Sequence, residues 1–402
     1  MPPPDARPQR SGRTLYPLSH TMLDRPEHPT RKPRIAICHD WLVARRGGEH
    51  VLEAIALALD PIADLDIIFT MFNTGADIGP TTNRLRRRAS VLNALPAPLR
   101  RWLIPAYPIA TADLSRKLRA EHQRRPFDLI VSTHSAAIKA VKPPPGVLHL
   151  CYIHAPARYI WTQGHDYAGG LRGLGLSMIR PIYKSWDRRT AARVTAFIAN
   201  STHTAAQVRR CYDAQASVVF PPVRTDFFTP AADTLRGEHW LAVGALVPYK
   251  RFDLAIQAAN EARHELHIIG SGPDKPRLRA LAGPTVSFIE ARTDAQLRHA
   301  YRTAKLLIFP QMEDFGIVAV EAQACGTPVV AYAKGGAEDT VIDGVTGATF
   351  QTQSVPELLA AIRRCPKHQA LACREHAEKF NETRFSVDIK AAVRALMNLP
   401  TG

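Results

Sequence analysis

With 402 residues, 46% of them hydrophobic and 22% charged, the chain is long enough for two or three domains and too apolar for wholesale disorder. No apolar run approaches the roughly 18 residues that span a bilayer, and the six cysteines form no CxxC pair, which sets aside zinc ribbons and disulfide frameworks. Against 36 acidic residues stand 52 Lys and Arg, a net charge of +16, which implies an acidic partner: nucleic acid, a phosphorylated small molecule or an anionic membrane.

Residues 1–32 hold seven prolines and six basic residues without apolar periodicity and read as a flexible tail, with Met22 as an alternative start. The opening Met1-Pro-Pro-Pro-Asp lacks the apolar core of a secretory signal, and unpaired cysteines suit a reducing cytosol. From Arg34 onward, short apolar runs alternate with amphipathic stretches, the pattern of βαβ units around a parallel sheet. Strands are predicted at Arg34–His39, Asp66–Met71, Asp128–Ser132, Val147–Ile153 and Ala196–Ala199, and Gly47-Gly48 opens a helix through Glu49–Leu59. Val218-Val219-Phe220 then meets Pro221-Pro222, which cannot continue a central strand.

Residues 223–237 form a connector, and a second alternating series follows. Its strands are Trp240–Val243, Leu266–Ile269, Val286–Ile289, Lys305–Phe309 and Pro328–Ala331. Its helices are Phe252–Arg263, Lys275–Leu281, Asp294–Thr303 and Ile317–Cys325. Two open α/β domains, 33–222 and 238–383, leave a cleft between the carboxyl ends of two sheets, the default ligand position. The chain closes with an amphipathic helix over Ser386–Leu399.

The most informative stretch is Glu313-Asp314-Phe315-Gly316-Ile317, continuing to Glu321. Glu313 falls in a strand-to-helix loop and Glu321 in the second turn of the helix. Carboxylates there accept paired hydrogen bonds from vicinal hydroxyls, as on a ribose or hexose. The N–H groups of Phe315 and Gly316 face the same opening, with the helix dipole behind them. Lys250, with Arg251 beside it, follows another strand and would sit at the start of a helix, where its ammonium can neutralise a diphosphate. Gly47-Gly48 allows backbone amides to approach a ligand closely, although no GxGxxG is present.

Glu-x7-Glu with an internal Phe-Gly, running into Glu321-Ala-Gln-Ala-Cys-Gly-Thr-Pro-Val-Val-Ala331, resembles the signature of retaining glycosyltransferases of family 4. That resemblance covers residues 34–398. It implies the GT-B fold of two facing Rossmann-like domains, with the terminal helix (384–400) returning to the first. It also implies that Glu313 contacts the donor sugar and Glu321 the ribose hydroxyls, with Asp314 and Ile317 nearby. Gly47, Gly48, Lys250 and Arg251 would line the diphosphate. The family commonly has an arginine where this chain has Ala245, and Arg251 is the candidate replacement. Cys151-Tyr-Ile-His154-Ala-Pro-Ala-Arg158-Tyr159-Ile-Trp161 resembles the mannosyltransferase-like branch. There a histidine lies beside the reacting sugar, so His154 joins Glu313 and Lys250 as a catalytic candidate. Arg158, Tyr159 and Trp161 would form an acceptor-side rim. Gly335-Gly336 resembles the loop beneath the donor, and Glu338 starts the next helix.

Three further signals complete the reading. His39-Asp40 is a structural pair or faces the acceptor. Asp64-Leu-Asp66 has the DxD spacing of another glycosyltransferase architecture but precedes its strand, so it reads as two solvated turn acids and no metal is expected. Residues 84–125 carry eleven basic and two acidic residues, interleaved with Leu92, Leu95, Leu99, Trp102, Leu103, Ile104, Tyr107 and Ile109. That mixture suits an anionic membrane surface or a solvated basic face. The favoured expectation is a cytoplasmic enzyme, peripheral on the inner face of the cell membrane and working without cofactor in cell-surface polysaccharide or lipopolysaccharide synthesis. It would move a hexose from a nucleoside diphosphate sugar, GDP-mannose first, to a lipid-linked saccharide. A nucleotide-sugar epimerase and a basic nucleic-acid-binding protein are the rivals; no nucleic-acid-binding motif supports the latter.

Overall fold

The computed structural model describes residues 31–96, 103–161, 170–231, 235–367 and 369–399, without the side chains of 170–178. The proposed tail 1–32 therefore lies almost wholly outside the described residues, as do Leu99, Arg100, Arg101 and Trp102. Residues 33–402 form one compact unit. Two parallel sheets organise it. The first contains β1 (Ile35–Leu42), β2 (Ile67–Asn73), β3 (Arg86–Ala89), β4 (Leu129–His134), β5 (Leu148–Ile153), β6 (Ala196–Ala199) and β7 (Ala216–Val218), in the order β3-β2-β1-β4-β5-β6-β7. The second contains β8 (Trp240–Val243), β9 (Leu266–Ile269), β10 (Val286–Ile289), β11 (Leu306–Phe309), β12 (Val329–Tyr332) and β13 (Gly347–Phe350), in the order β10-β9-β8-β11-β12-β13.

Helices cover both faces, so the central strands are buried along most of their length; Ile35 to Asp40 is buried without interruption. In each sheet the chain reverses direction of growth beside its first strand, between β1 and β4 and between β8 and β11. Diverging loops at such a switch point open a crevice at the carboxyl ends. This is the GT-B arrangement. The helix Gly47–Leu59 buries Val51, Leu52 and Ile55 against the first sheet, in one cluster with Phe385, Ile389 and Val393 of the terminal helix Glu382–Met397. The spacing 385, 389, 393 keeps those three on one helical face. The terminal helix therefore packs on the first sheet, although it follows the second in sequence.

Two strands escaped sequence reading and a third lies offset from it. β3 looks like a charge run, Arg86-Arg87-Arg88, yet it forms the sheet edge with its arginines turned to acceptors. Arg86 bonds Asp66 at 2.6 Å and Glu121 at 2.9 Å, while Arg87 bonds the Ala76 carbonyl and Asn83. Charged edges of this kind block further strand pairing. β13 is short and begins with glycine, and β7 lies two residues before the predicted Val218–Phe220. The DxD acids are also corrected. Asp66 holds the buried Arg34 and Arg86, and Asp64 holds Arg125, so both are ion-pair acceptors rather than solvated turn acids.

Candidate active site

The loop after β11 places Glu313 and the loop after β8 places Lys250, one on each side of the second sheet's switch point. Their side chains meet, Lys250 Nζ to Glu313 Oε1, at 2.8 Å. Lys250 ends a single 3-10 turn, Pro248–Lys250, instead of opening the helix. Arg251 follows with φ 54°, and this left-handed residue separates the turn from helix Phe252–Ala262. The Arg251 guanidinium is committed to Asp253 at 3.2 Å and to Gln353 at 3.1 Å. The proposed replacement for the missing arginine at 245 is thus already engaged elsewhere.

The backbone around Glu313 is clamped. Its carbonyl accepts the Gly336 N–H at 2.8 Å, and a β-bridge joins it to Gly335. Any side chain at Gly336 would collide with the Phe315 backbone, so glycine there permits the two loops to touch. Gly316, at φ 95°, then turns the chain into helix Ile317–Ala324. Phe315 is buried and packs on Phe220 and Phe380, with ring centroids 5.9 and 5.5 Å away. Its side chain belongs to the core, which leaves only its backbone for a donor.

Glu321 lies on that helix, and its Oε2 accepts the Tyr301 hydroxyl at 2.9 Å. Burial pushes the Glu321 carboxyl up to about 7, against the opposing Tyr301 hydrogen bond and the Arg224 charge. Tyr301 stands twenty positions earlier on another helix, and no local motif marks it.

The first sheet contributes the facing wall. A Cβ on Gly47 would lie 3.7 Å from Ile317 Cδ1, and one on Gly48 would lie 3.9 Å from His154 Nε2. His154 directly follows β5, where its N–H donates to the His134 carbonyl at 2.8 Å. Its Nε2 is enclosed without a partner among the described residues. Burial, aided by the nearby His39 charge, lowers its pKa to about 3, so the ring is neutral at any physiological pH. Arg158 reaches across to Asp314, pairing its guanidinium with that carboxylate.

The remaining rim residues turn inward. The Tyr159 hydroxyl bonds the Ala136 carbonyl and the Tyr183 hydroxyl, both at 3.2 Å. Trp161 Nε1 donates to Asp187 at 2.7 Å. Asp187 also pairs with Lys139 at 2.7 Å, both side chains being fully buried, and accepts the Tyr212 hydroxyl. Tyr159 and Trp161 are therefore cemented into the first domain rather than arrayed as an aromatic rim. His39 and Asp40 are not a mutual pair. His39 bonds Thr133 and lies 3.7 Å from Glu49. Asp40 accepts four backbone N–H groups, from Ser135, Ala136, Ala137 and Ile138, between 2.7 and 2.9 Å. Gly270–Gly272 is a turn packed against Leu246.

Comparison with known proteins agrees with this architecture. Residues 47–227 match the family model described as Glycosyltransferase Family 4, and residues 235–384 match Glycosyl transferases group 1. The chain is 32% identical over 229 residues to the D-inositol 3-phosphate glycosyltransferase of Mycolicibacterium smegmatis, across 50% of this chain and 53% of that one. It thus spans about half the length of the curated relatives it matches. Among solved structures, sucrose-phosphate synthase from Thermosynechococcus elongatus superposes with a TM-score of 0.72 at 20% identity, over 92% of this chain and all of that one. The Anabaena protein HepE in complex with UDP gives 0.65 at 15% identity, over 90% of this chain and all of that one. The two matches together run from residue 47 to residue 384, and the solved neighbours share the GT-B fold.

Proposed function

We propose that the protein is a retaining glycosyltransferase that moves a hexose from a nucleoside diphosphate sugar to a saccharide acceptor. One observation carries the reading: Lys250 and Glu313 meet at the second sheet's switch point, with Glu321 behind them on the same loop-helix unit. Lys250 neutralises the departing diphosphate, with the N–H groups at the start of helix Ile317–Ala324 adding positive potential, so no metal is needed for that charge. Glu313 hydrogen-bonds the transferring sugar, and Glu321 takes the ribose hydroxyls with its second oxygen. Neutral His154 offers a hydrogen bond to the sugar beside Gly48 without bringing a cation to the anomeric carbon. The bond from that carbon to the phosphate oxygen breaks as the acceptor oxygen bonds to it on the same face. The acceptor's proton passes to the leaving phosphate oxygen.

GDP-mannose is the first donor proposed, from the likeness around His154. The acceptor proposed is lipid-linked, reached from the cytoplasmic face through residues 84–125. That surface is smaller than its composition suggests, because Arg84, Arg86, Arg116, Lys117 and Arg125 are paired with carboxylates. Arg88, Arg119 and Arg124 remain exposed, as do Val91, Leu95 and Ile109. Among the described residues no helix is long and apolar enough to cross a membrane.

A thermal-shift panel of GDP-mannose, UDP-glucose and ADP-glucose tests the donor, since a bound ligand raises the melting temperature by linkage. GDP-mannose should give the largest rise in wild type and none in Lys250→Ala. A panel with no shift overturns the reading. Turnover with inositol phosphate, the acceptor named for the curated relatives, would replace the lipid-linked acceptor by a soluble one.

A further inference from the structure

The first domain holds the segments around Glu313 at two points. Next to Glu313, Asp314 takes the Arg158 guanidinium from the opposite wall. The loop clamped to Glu313 through Gly335 and Gly336 runs on to Asp339, which accepts both the N–H and the hydroxyl of Thr202, each at 2.8 Å. Thr202 opens helix Thr202–Tyr212 of the first domain. Both strands of chain that fix the Glu313 backbone are thus held from across the cleft.

Arg158 acts from a fixed base. The short helix Arg158–Trp161 is anchored by Tyr159 and by Trp161, and its Ile160 carbonyl accepts Arg180 Nε at 2.7 Å. Asp187, which holds Trp161, is itself fixed by Lys139 in the domain interior. At the other end, the Asp314 side chain is only 11% exposed and that of Arg158 is 34% exposed. A carboxylate so covered strongly favours keeping its cation, because separating such a pair strands the charge. Consecutive residues therefore divide the work: Glu313 faces Lys250 of its own domain, and Asp314 faces Arg158 of the other.

We propose that Arg158 and Asp314 are a positioning pair that couples closure of the two domains to the placement of Glu313. This rests on the reading of Glu313 as the sugar-contacting carboxylate, and it moves Arg158 out of the acceptor rim and Asp314 out of the donor contacts. Formed, the pair pins the loop from both domains. Broken, the loop keeps only the contacts of its own domain, to Lys250, Gly335, Gly336 and the Phe315 core, and the domains lose their tie nearest the chemistry. The competing use of Arg158, as a second diphosphate cation in place of the arginine missing at 245, makes the opposite prediction for Asp314. Freeing Arg158 would then leave turnover intact or improve donor affinity.

The test uses the full chain with Arg158→Gln, Asp314→Asn and the exchanged pair R158D/D314R. Small-angle X-ray scattering, with and without GDP, should show a larger radius of gyration for each single variant and recovery in the exchange. Turnover of the donor chosen by thermal shift should fall about tenfold or more in kcat for each single variant, with KM nearly unchanged, and return in the exchange. If the exchange does not fold, R158K/D314E restores the pair with altered lengths and should recover both readouts. Wild-type kcat in Asp314→Asn, wild-type scattering from both single variants, or a restored pair no better than the worse single variant overturns the proposal. Should no donor be turned over at all, the glycosyltransferase reading fails, while scattering still decides whether the pair closes the cleft.

Discussion

The two walls of the cleft use polar residues in opposite ways. On the second-domain wall, Lys250, Glu313 and Glu321 sit on loops and a helix start, and their strongest partners are one another or a single tyrosine. On the first-domain wall, most polar groups near the sheet's carboxyl edge are consumed by the fold. Asp40 is saturated by four N–H groups, and Trp161 and Lys139 both serve Asp187. One wall keeps hydrogen-bonding capacity for a ligand, while the other spends it on rigidity. A rigid wall lets Arg158 and His154 meet the opposite wall in a fixed geometry, which is where preorganisation gains its effect.

That contrast can be broken by substitution, and the largest effect should come from the rigid wall. Lys139→Met leaves the Asp187 carboxylate buried beside two neutral donors, a loss of about 3–5 kcal/mol in urea unfolding. An unchanged midpoint would mean the interior pair is dispensable and the wall is held by apolar packing. Next in size, Glu313→Gln should lower kcat about 10²–10³-fold while nucleoside diphosphate affinity, measured by calorimetry, stays near wild type. A fall in diphosphate affinity of similar size would instead make Glu313 a binding residue.

Glu321→Ala should act the other way, weakening binding of free GDP by about 1.5–3 kcal/mol. Its titration sharpens the point. Because burial raises this carboxyl from 4.5 to about 7, the folded protein keeps a proton that the unfolded chain releases. That contribution to stability is complete at low pH and is lost as pH rises through about 7. Glu321→Gln should therefore show a flatter decline in stability than wild type between pH 4.5 and about 7, and parallel curves would refute the burial argument. The smallest effect should be Tyr301→Phe, about 1 kcal/mol in GDP affinity, since one oriented hydrogen bond to Glu321 is removed and the carboxylate stays.

Much of the second-domain wall was legible from spacing, because strand, loop and helix follow one another within the sixteen residues from Leu306 to Glu321 and local geometry fixes where each side chain falls. The first-domain wall was less so. Tyr159 and Trp161 look alike to a reader of sequence whether they face solvent or core. Only Tyr183 and Asp187, more than twenty residues later, decide it. The same holds for Arg251, whose commitment to Gln353 spans 102 positions. Charge pairing in the basic stretch 84–125 has the same cause in part, since three of its counter-charges, Asp60, Asp64 and Asp66, precede it in sequence.

By itself the sequence determined the alternation of strands and helices, the division into two parallel-sheet domains and the loop that carries Glu313, Asp314 and Gly316. Those follow from hydrophobic period and from glycine placement, which act over a few residues. Only the tertiary structure decided which charges are spent. Hydrogen bonds and ion pairs form between groups that folding brings together from distant positions, and burial then makes each pairing hard to exchange. Whether Arg158 meets an acceptor or Asp314, and whether Glu321 titrates as an ordinary acid or near 7, is settled by partners the local sequence does not contain.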